Sequence, residues 1–231
     1  MAFYKHYSFD LWLTLIKSNP SFKHERSRYF FEKFNNKNKT IEEVSSIVRQ
    51  VDLMVNAMNE KTGKNVDAEE MHLIVISMIN DYSFSFSDIN LEEIYTDIEA
   101  LFFEFTPMLY CENCLPVLAK IQESQSSTVN ILSNTGFIRG HTLRQVIQQL
   151  GIAPFIDFQI YSDEVRMSKP SKSFFQLMLN GICREKHPDL HLADVVHVGD
   201  NPVADVLGAK SIGINSILIN SNNQSILTLL S

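Results

Sequence analysis

Val195-Val196-His197-Val198-Gly199-Asp200-Asn201-Pro202-Val203-Ala204-Asp205-Val206-Leu207-Gly208-Ala209-Lys210-Ser211-Ile212-Gly213 is the stretch that decides the reading of this chain. An apolar run ends at a glycine–aspartate pair, and Pro202 opens a helix expected over 202–210 that carries a second acid, Asp205. A further strand is expected over 216–219. Carboxylates at the carboxyl end of a strand sit where α/β sheets place their chemistry. The chain begins with a matching arrangement, an apolar run over 4–9 leading into Asp10.

Between these two strands the pattern alternates from residue 111 onward. A helix over 116–123 leads to a strand ending at Ser133, and a helix over 139–150 stops at Gly151. A short strand over 158–161 precedes Lys169, and a helix from Ser173 leads to the strand ending at Gly199. Such alternation implies a parallel sheet with helices on both faces. The stretch between residues 17 and 128 reads differently, with four helical patterns and no strand. The first, over 21–34, follows Pro20. The second opens at Thr40 with Glu43 three residues on, a capping box, and closes before Gly63. The third starts at Asp67 with Glu70, and the fourth starts near Asn90 and stops before Pro107. Four helices with short connections read as a bundle, with the Ser/Phe run over 82–87 as a connection inside it.

Four motifs, in order, carry a family resemblance. Phe9-Asp10-Leu11-Trp12-Leu13-Thr14 is similar to D-x-D-x-T, with Trp12 in place of the second Asp and Leu13 in place of a customary glycine. The strand ending in Ser133-Asn134-Thr135-Gly136, then Ser168-Lys169-Pro170, then Gly199-Asp200 with Asp205 complete the set. The chain resembles the haloacid dehalogenase-like (HAD) superfamily, of the type with a helical cap inserted after the first motif. The resemblance implies an α/β fold: a Rossmann-like parallel-sheet core over 1–17 and 109–231, with an α-helical cap domain over 18–108.

It also implies a site. Asp10 would be the nucleophile that forms an aspartyl-phosphate. Asp10, Asp200 and the backbone carbonyl of Trp12 would hold Mg2+, a cation that suits oxygen ligands at a phosphate site. Asp205 would hold metal-bound water or the lysine. Ser133 and the Asn134 N–H would bind phosphoryl oxygens, and Lys169 would neutralise charge on nucleophile and phosphate. Thr14 is read as fixing the loop and His197 as structural. The implied activity is a Mg2+-dependent phosphatase on a small phosphorylated metabolite. Trp12 departs from this, because indole is only an N–H donor and cannot act as the acid/base. A positioned acid/base contributes about 10²–10⁴-fold, so turnover is expected to be slow unless the cap supplies a substitute, for which His24 and Glu25 are the candidates. Two alternatives follow from Trp12: a 2-haloacid dehalogenase, and a catalytically impaired domain that binds a phosphorylated ligand or a protein partner.

Composition narrows the rest. A formal net charge of -7 and the lack of a basic stripe exclude a nucleic-acid groove. No apolar run approaches the roughly 20 residues of a membrane helix. The start leads straight into the first strand without a targeting segment, so the expected location is the cytoplasm. Cys111 and Cys114 form a C-x-x-C that Cys183, His187 and His191 would have to complete as a zinc site; reduced thiols are the favoured reading.

Overall fold

The computed structural model of the protein describes residues 4–83, 85–87, 89–124, 126–182 and 186–230. The start of the chain, Phe84 of the Ser/Phe run and Cys183 of the candidate zinc set lie outside the described residues. The chain runs β1 (His6–Phe9), β2 (Ile16–Lys17), α1 (Pro20–Phe34), α2 (Ile41–Thr62), α3 (Ala68–Ile79), α4 (Leu91–Glu104), β3 (Met108–Leu109), α5 (Cys114–Glu123), β4 (Thr128–Ser133), α6 (Gly140–Gln149), β5 (Phe158–Tyr161), α7 (Ser162–Val165), α8 (Lys172–Gly181), β6 (Val195–Gly199), α9 (Gly208–Ser211) and β7 (Asn215–Leu218).

Five strands form one parallel sheet in the order β5-β4-β1-β6-β7. The three central strands are buried along their whole length, and the two edge strands are half-buried over most of theirs. Burial on both faces is why these strands read as near-continuous runs rather than as alternation. The strand order reverses between β1 and β6, and the crevice at such a reversal is where open α/β sheets bind ligands. The central strands are not wholly apolar. His6 meets Thr128 and Asn130 at 2.8 Å each, and His197 meets Ser8 at 3.0 Å. These cross-strand pairs satisfy polar groups that would otherwise be costly inside a sheet.

The four helices α1 to α4 enter between β2 and β3, which pair as a two-stranded antiparallel ribbon. The sequence reading found no strand in that stretch; a two-residue strand offers no periodicity to detect. The helix boundaries have local causes. Asn19 accepts from Ser21 N ahead of Pro20. The Thr40–Glu43 capping box closes reciprocally. Gly63 ends α2 at φ 66°, a left-handed conformation that favours glycine. The apolar faces of these helices join the sheet's core in one continuous cluster, in which Phe22, Phe30, Val48 and Phe102 pack with Tyr7, Phe9 and Val198. No helix among the described residues is long and apolar enough to cross a membrane.

One expected helix takes a different form. Residues Pro202–Leu207 form a wide π-helical turn before α9 begins. The Asn201 side chain accepts from Val203 N and Ala204 N, while its carbonyl accepts from both Asp205 N and Val206 N. This widened turn carries Asp205 inward to the sheet. Gly199 permits the approach, since a Cβ there would lie 2.2 Å from the Asp205 carboxyl.

Candidate active site

Asp10 follows β1, and its N–H still donates to Val198 O at 2.9 Å, so the sheet itself fixes its start. The next residues form a tight loop. Leu15 N and Ile16 N both donate to Leu11 O, and Leu13 N donates to Ile16 O at 2.7 Å. Asn220 Nδ2, beyond β7, donates to Leu13 O at 2.7 Å. Leu13 is held at φ 58°, the left-handed region where a glycine would be unstrained. Thr14 Oγ1 donates to Asp10 Oδ2 at 3.2 Å, so the threonine steadies the carboxylate as well as the loop.

Lys169 is the buried hub. It is 1% exposed, and Nζ donates to Asp10 Oδ1 and to Asp205 Oδ1, each at 2.6 Å. Its backbone is clamped by Asn134, whose Oδ1 accepts from Lys169 N at 2.7 Å and whose Nδ2 donates to Lys169 O at 3.1 Å. Two loops from separate strands are thereby locked together. Asp205 also takes a hydrogen bond from the His197 ring at 3.0 Å and from Asn201 N at 2.9 Å. The lysine expected as one partner of Asp205 is in contact with it. Ser133 ends β4 fully buried, with its hydroxyl donating to Asn134 O at 3.1 Å.

The electrostatics follow from burial. Desolvation pushes the Asp10 carboxyl up to about 7, with the Asp205 and Asp200 charges adding to it, against the pull of Lys169. Asp200 is raised to about 6, by burial first and then by Asp205. Burial also opposes ionisation of Asp205, but the Lys169 ammonium and the His197 hydrogen bond outweigh it and hold that carboxyl far below the usual range. Lys169 is likewise desolvated, yet its two carboxylate partners raise it. One oxygen from each of Asp10, Asp200 and Asp205 lies within 4.8 Å of the others. A group of oxygen donors with two elevated carboxyls fits a hard divalent cation, which would relieve the repulsion.

These residues floor a cavity of about 640 Å³ roofed by α1 and α2. Trp12 lines it half-buried, its ring 6.3 Å from Phe102 of α4, which packs edge-on against Phe22 at 5.0 Å. His24 and Glu25, the expected stand-ins for the missing acid, do not line it. They lie on the outer side of α1 and contact each other at 3.1 Å. Helical periodicity is the reason, because the inward stripe of α1 is Phe22, Arg26 and Phe30 at i, i+4 and i+8. Arg26 was missed, although a charge on an apolar stripe is a readable signal. Glu60, at the end of α2, was missed too; it lines the cavity and accepts from Asn201 Nδ2 at 2.8 Å, next to Asp200. Away from the cavity, Cys111 and Cys114 are free thiols 3.7 Å apart, and His187 bonds Thr128 at 2.8 Å.

Comparison with known proteins places this arrangement. A family model described as HAD-hydrolase-like matches residues 166–229. Ribulose-1,5-bisphosphate 5-phosphatase of Halopiger xanaduensis is 27% identical over 105 residues, covering 46% of this chain and 41% of that protein. The match thus spans about two fifths of the relative's length. The crystal structure of the HAD-hydrolase YfnB from Bacillus subtilis, bound to magnesium, superposes with a TM-score of 0.71 at 16% identity, over 96% of this chain and 92% of that one. The 2-haloacid dehalogenase of Pseudomonas syringae does so at 0.62 and 17%, over 96% and 89%. At such identities the solved structures speak for the fold alone. Fold, matched model and relatives all show a likeness to the haloacid dehalogenase-like superfamily.

Proposed function

We propose that the protein is a hydrolase of the aspartate-nucleophile kind, a Mg2+-dependent phosphatase acting on a small phosphorylated metabolite. The observation that carries this reading is the convergence of Asp10, Lys169, Asp200 and Asp205 on the floor of one cavity. The phosphatase name of the Halopiger relative supports the same direction.

In this reading an Asp10 carboxylate oxygen attacks phosphorus, an O–P bond forms, and the bond to the leaving oxygen breaks. Water then attacks the aspartyl-phosphate and frees Asp10 and phosphate. Lys169 and Thr14 hold the carboxylate in line before attack, which lowers the orientational cost of the step. The Lys169 ammonium also faces the charge that builds up on phosphoryl oxygens. Ser133 turns its hydroxyl from the Asn134 carbonyl to the phosphoryl group, where the Asn134 N–H joins it. Asp10, Asp200 and the Trp12 carbonyl would hold Mg2+, which when bound neutralises carboxylate and phosphate charge. Asp205 serves by anchoring the lysine. Trp12 supplies no proton, so leaving groups that depart as stable anions react fastest. Glu60 and Asp52 are the carboxylates that α2 brings to the cavity for relaying a proton.

The test is phosphate release from a panel of phosphorylated metabolites and an activated aryl phosphate, with Mg2+ and with chelator, using Asp10→Asn as blank. Mg2+-dependent release absent from the blank is expected. A second reading, halide displacement from a 2-haloacid, is favoured by Trp12 and by the direct contact of Lys169 with Asp10. Chelator-insensitive halide release without phosphate release would install it instead. Mg2+-dependent binding of phosphorylated ligands without any turnover would make this an impaired, ligand-binding domain.

A further inference from the structure

Arg26 is the one cavity-lining cation among the described residues that is buried without a hydrogen-bonding partner. It is 9% exposed, and its Nε meets no acceptor. Its guanidinium lies 4.1 Å from the centre of the Phe137 ring, on the loop after β4, and 5.3 Å from that of Phe22. The ring faces orient the guanidinium but accept none of its five N–H groups in the plane of the fork. The opposite charge that acts on it, Asp52, already accepts from Arg49 at 2.9 Å. Lys169, by contrast, has both of its carboxylates in place. Burying a charge without a partner is costly, and a planar fork matches carboxylate or phosphate oxygens two at a time.

From this geometry, and resting on the phosphatase reading of the cavity floor, we infer that Arg26 binds a second anionic group of the substrate. The substrate class is a phosphomonoester carrying a carboxylate or a second phosphate, with the scissile group at Asp10 and the other anion at Arg26. Arg26 is thus a specificity-determining residue contributed by the helical insert. Burial holds its guanidinium down to about 10, still charged at neutral pH, so the fork is always ready for an anion.

Binding of stable phosphonates tests this without requiring turnover. Calorimetry with excess Mg2+ compares propylphosphonate, 3-phosphonopropionate and ethane-1,2-diphosphonate, which share a phosphonate and differ in the second group. Wild-type protein is expected to prefer one or both doubly anionic probes by about 10- to 100-fold. The better of the two tells carboxylate from phosphate. In Arg26→Gln the preference should collapse to within about threefold, with Arg26→Lys intermediate because it keeps the charge and loses the fork. Equal wild-type affinities, no binding of any probe, or an equal loss for all three probes in the variants would overturn the inference. If Arg26→Gln does not melt cooperatively, Arg26→Lys gives the same reading. Phosphate release from the matching phosphates is scored separately, so an inactive enzyme that still discriminates through Arg26 would sink the phosphatase reading and leave only the anion-binding role of Arg26 standing.

Discussion

The floor and the roof of the cavity are built on opposite rules. On the floor the lysine and its anchoring carboxylate are answered before any ligand arrives: Lys169 has two carboxylates, and Asp205 has a lysine, an imidazole and a backbone N–H. The helical insert leaves some of its buried groups open. Arg26 has aromatic faces but no acceptor, and both ring nitrogens of His72, behind Phe137, lack partners. A pre-paired floor keeps reacting groups in place at little reorganisation cost. An unpaired roof has free energy to gain only when something fills it. The difference assigns, in the proposed reading, reaction type to the strand ends and selectivity to the insert.

The sharpest way to break that division is at the floor. Asp10→Asn keeps the shape and removes the nucleophile, so turnover should fall by roughly 10⁴-fold or more while the fold is kept. Wild-type activity in this variant, measured by phosphate release, would remove Asp10 from its role. Trp12→Asp restores an acid/base two residues on, and kcat should rise by about 10²-fold or more. A folded variant that gains nothing would show that Trp12 is not what limits the floor.

Stability tests the two rules without any substrate. Burial lowers His6, on β1, to about 4, and lowers His72, on α3 of the helical insert, to about 3, from an ordinary 6.5. Both imidazoles are neutral when folded, so an unfolded chain takes up protons first as pH falls. Their contribution is complete above pH 6.5 and is lost as pH drops toward the folded values. By pH 5 each should cost about 2 kcal/mol. Chemical denaturation between pH 7.5 and 5 reads this directly. His72→Phe should remove its share and raise stability at neutral pH, because an unpartnered buried ring nitrogen is worth less than none. His6→Phe should destabilise, since it strands the buried Asn130 side chain. Equal effects from the two substitutions would erase the contrast between floor and roof. The smallest effect is expected at Leu13→Gly, neutral to about 1 kcal/mol stabilising, as the left-handed strain is released. A loss above that range in a denaturant melt would mean that the exposed leucine side chain matters more than its backbone.

The floor was legible in the sequence because it is made by strand ends, where short fixed spacings tie a carboxylate to a strand. Asp10, Asp200 and Asp205 stand at positions that chain geometry converts directly into proximity. The roof was less legible, because contact there depends on how a helix is rotated. His24 and Glu25 are one and two residues from Arg26, yet they face outward while Arg26 faces the cavity. The π-helical turn at Pro202–Leu207 and the ribbon of β2 and β3 were hidden for other reasons. The first is imposed by the Asn201 side chain and carbonyl together, the second by pairing over only two residues.

The contacts of His197 have a consequence for where protons sit. Asp205 is ionised and can only accept, so the ring must carry its proton on Nε2. Nδ1 is then a lone pair, and the Ser8 hydroxyl must point its hydrogen at it. Ser8 precedes Asp10 by two residues, so backbone, hydroxyl, imidazole, carboxylate and ammonium form a closed circuit in which donation from Ser8 and from Lys169 converges on Asp205. Nitrogen NMR of the imidazole should find a single neutral tautomer that stays unchanged across the pH range in which free histidine titrates. In Ser8→Ala that circuit is open at one point, and the same spectrum would report whether the direction of the remaining bonds survives without it.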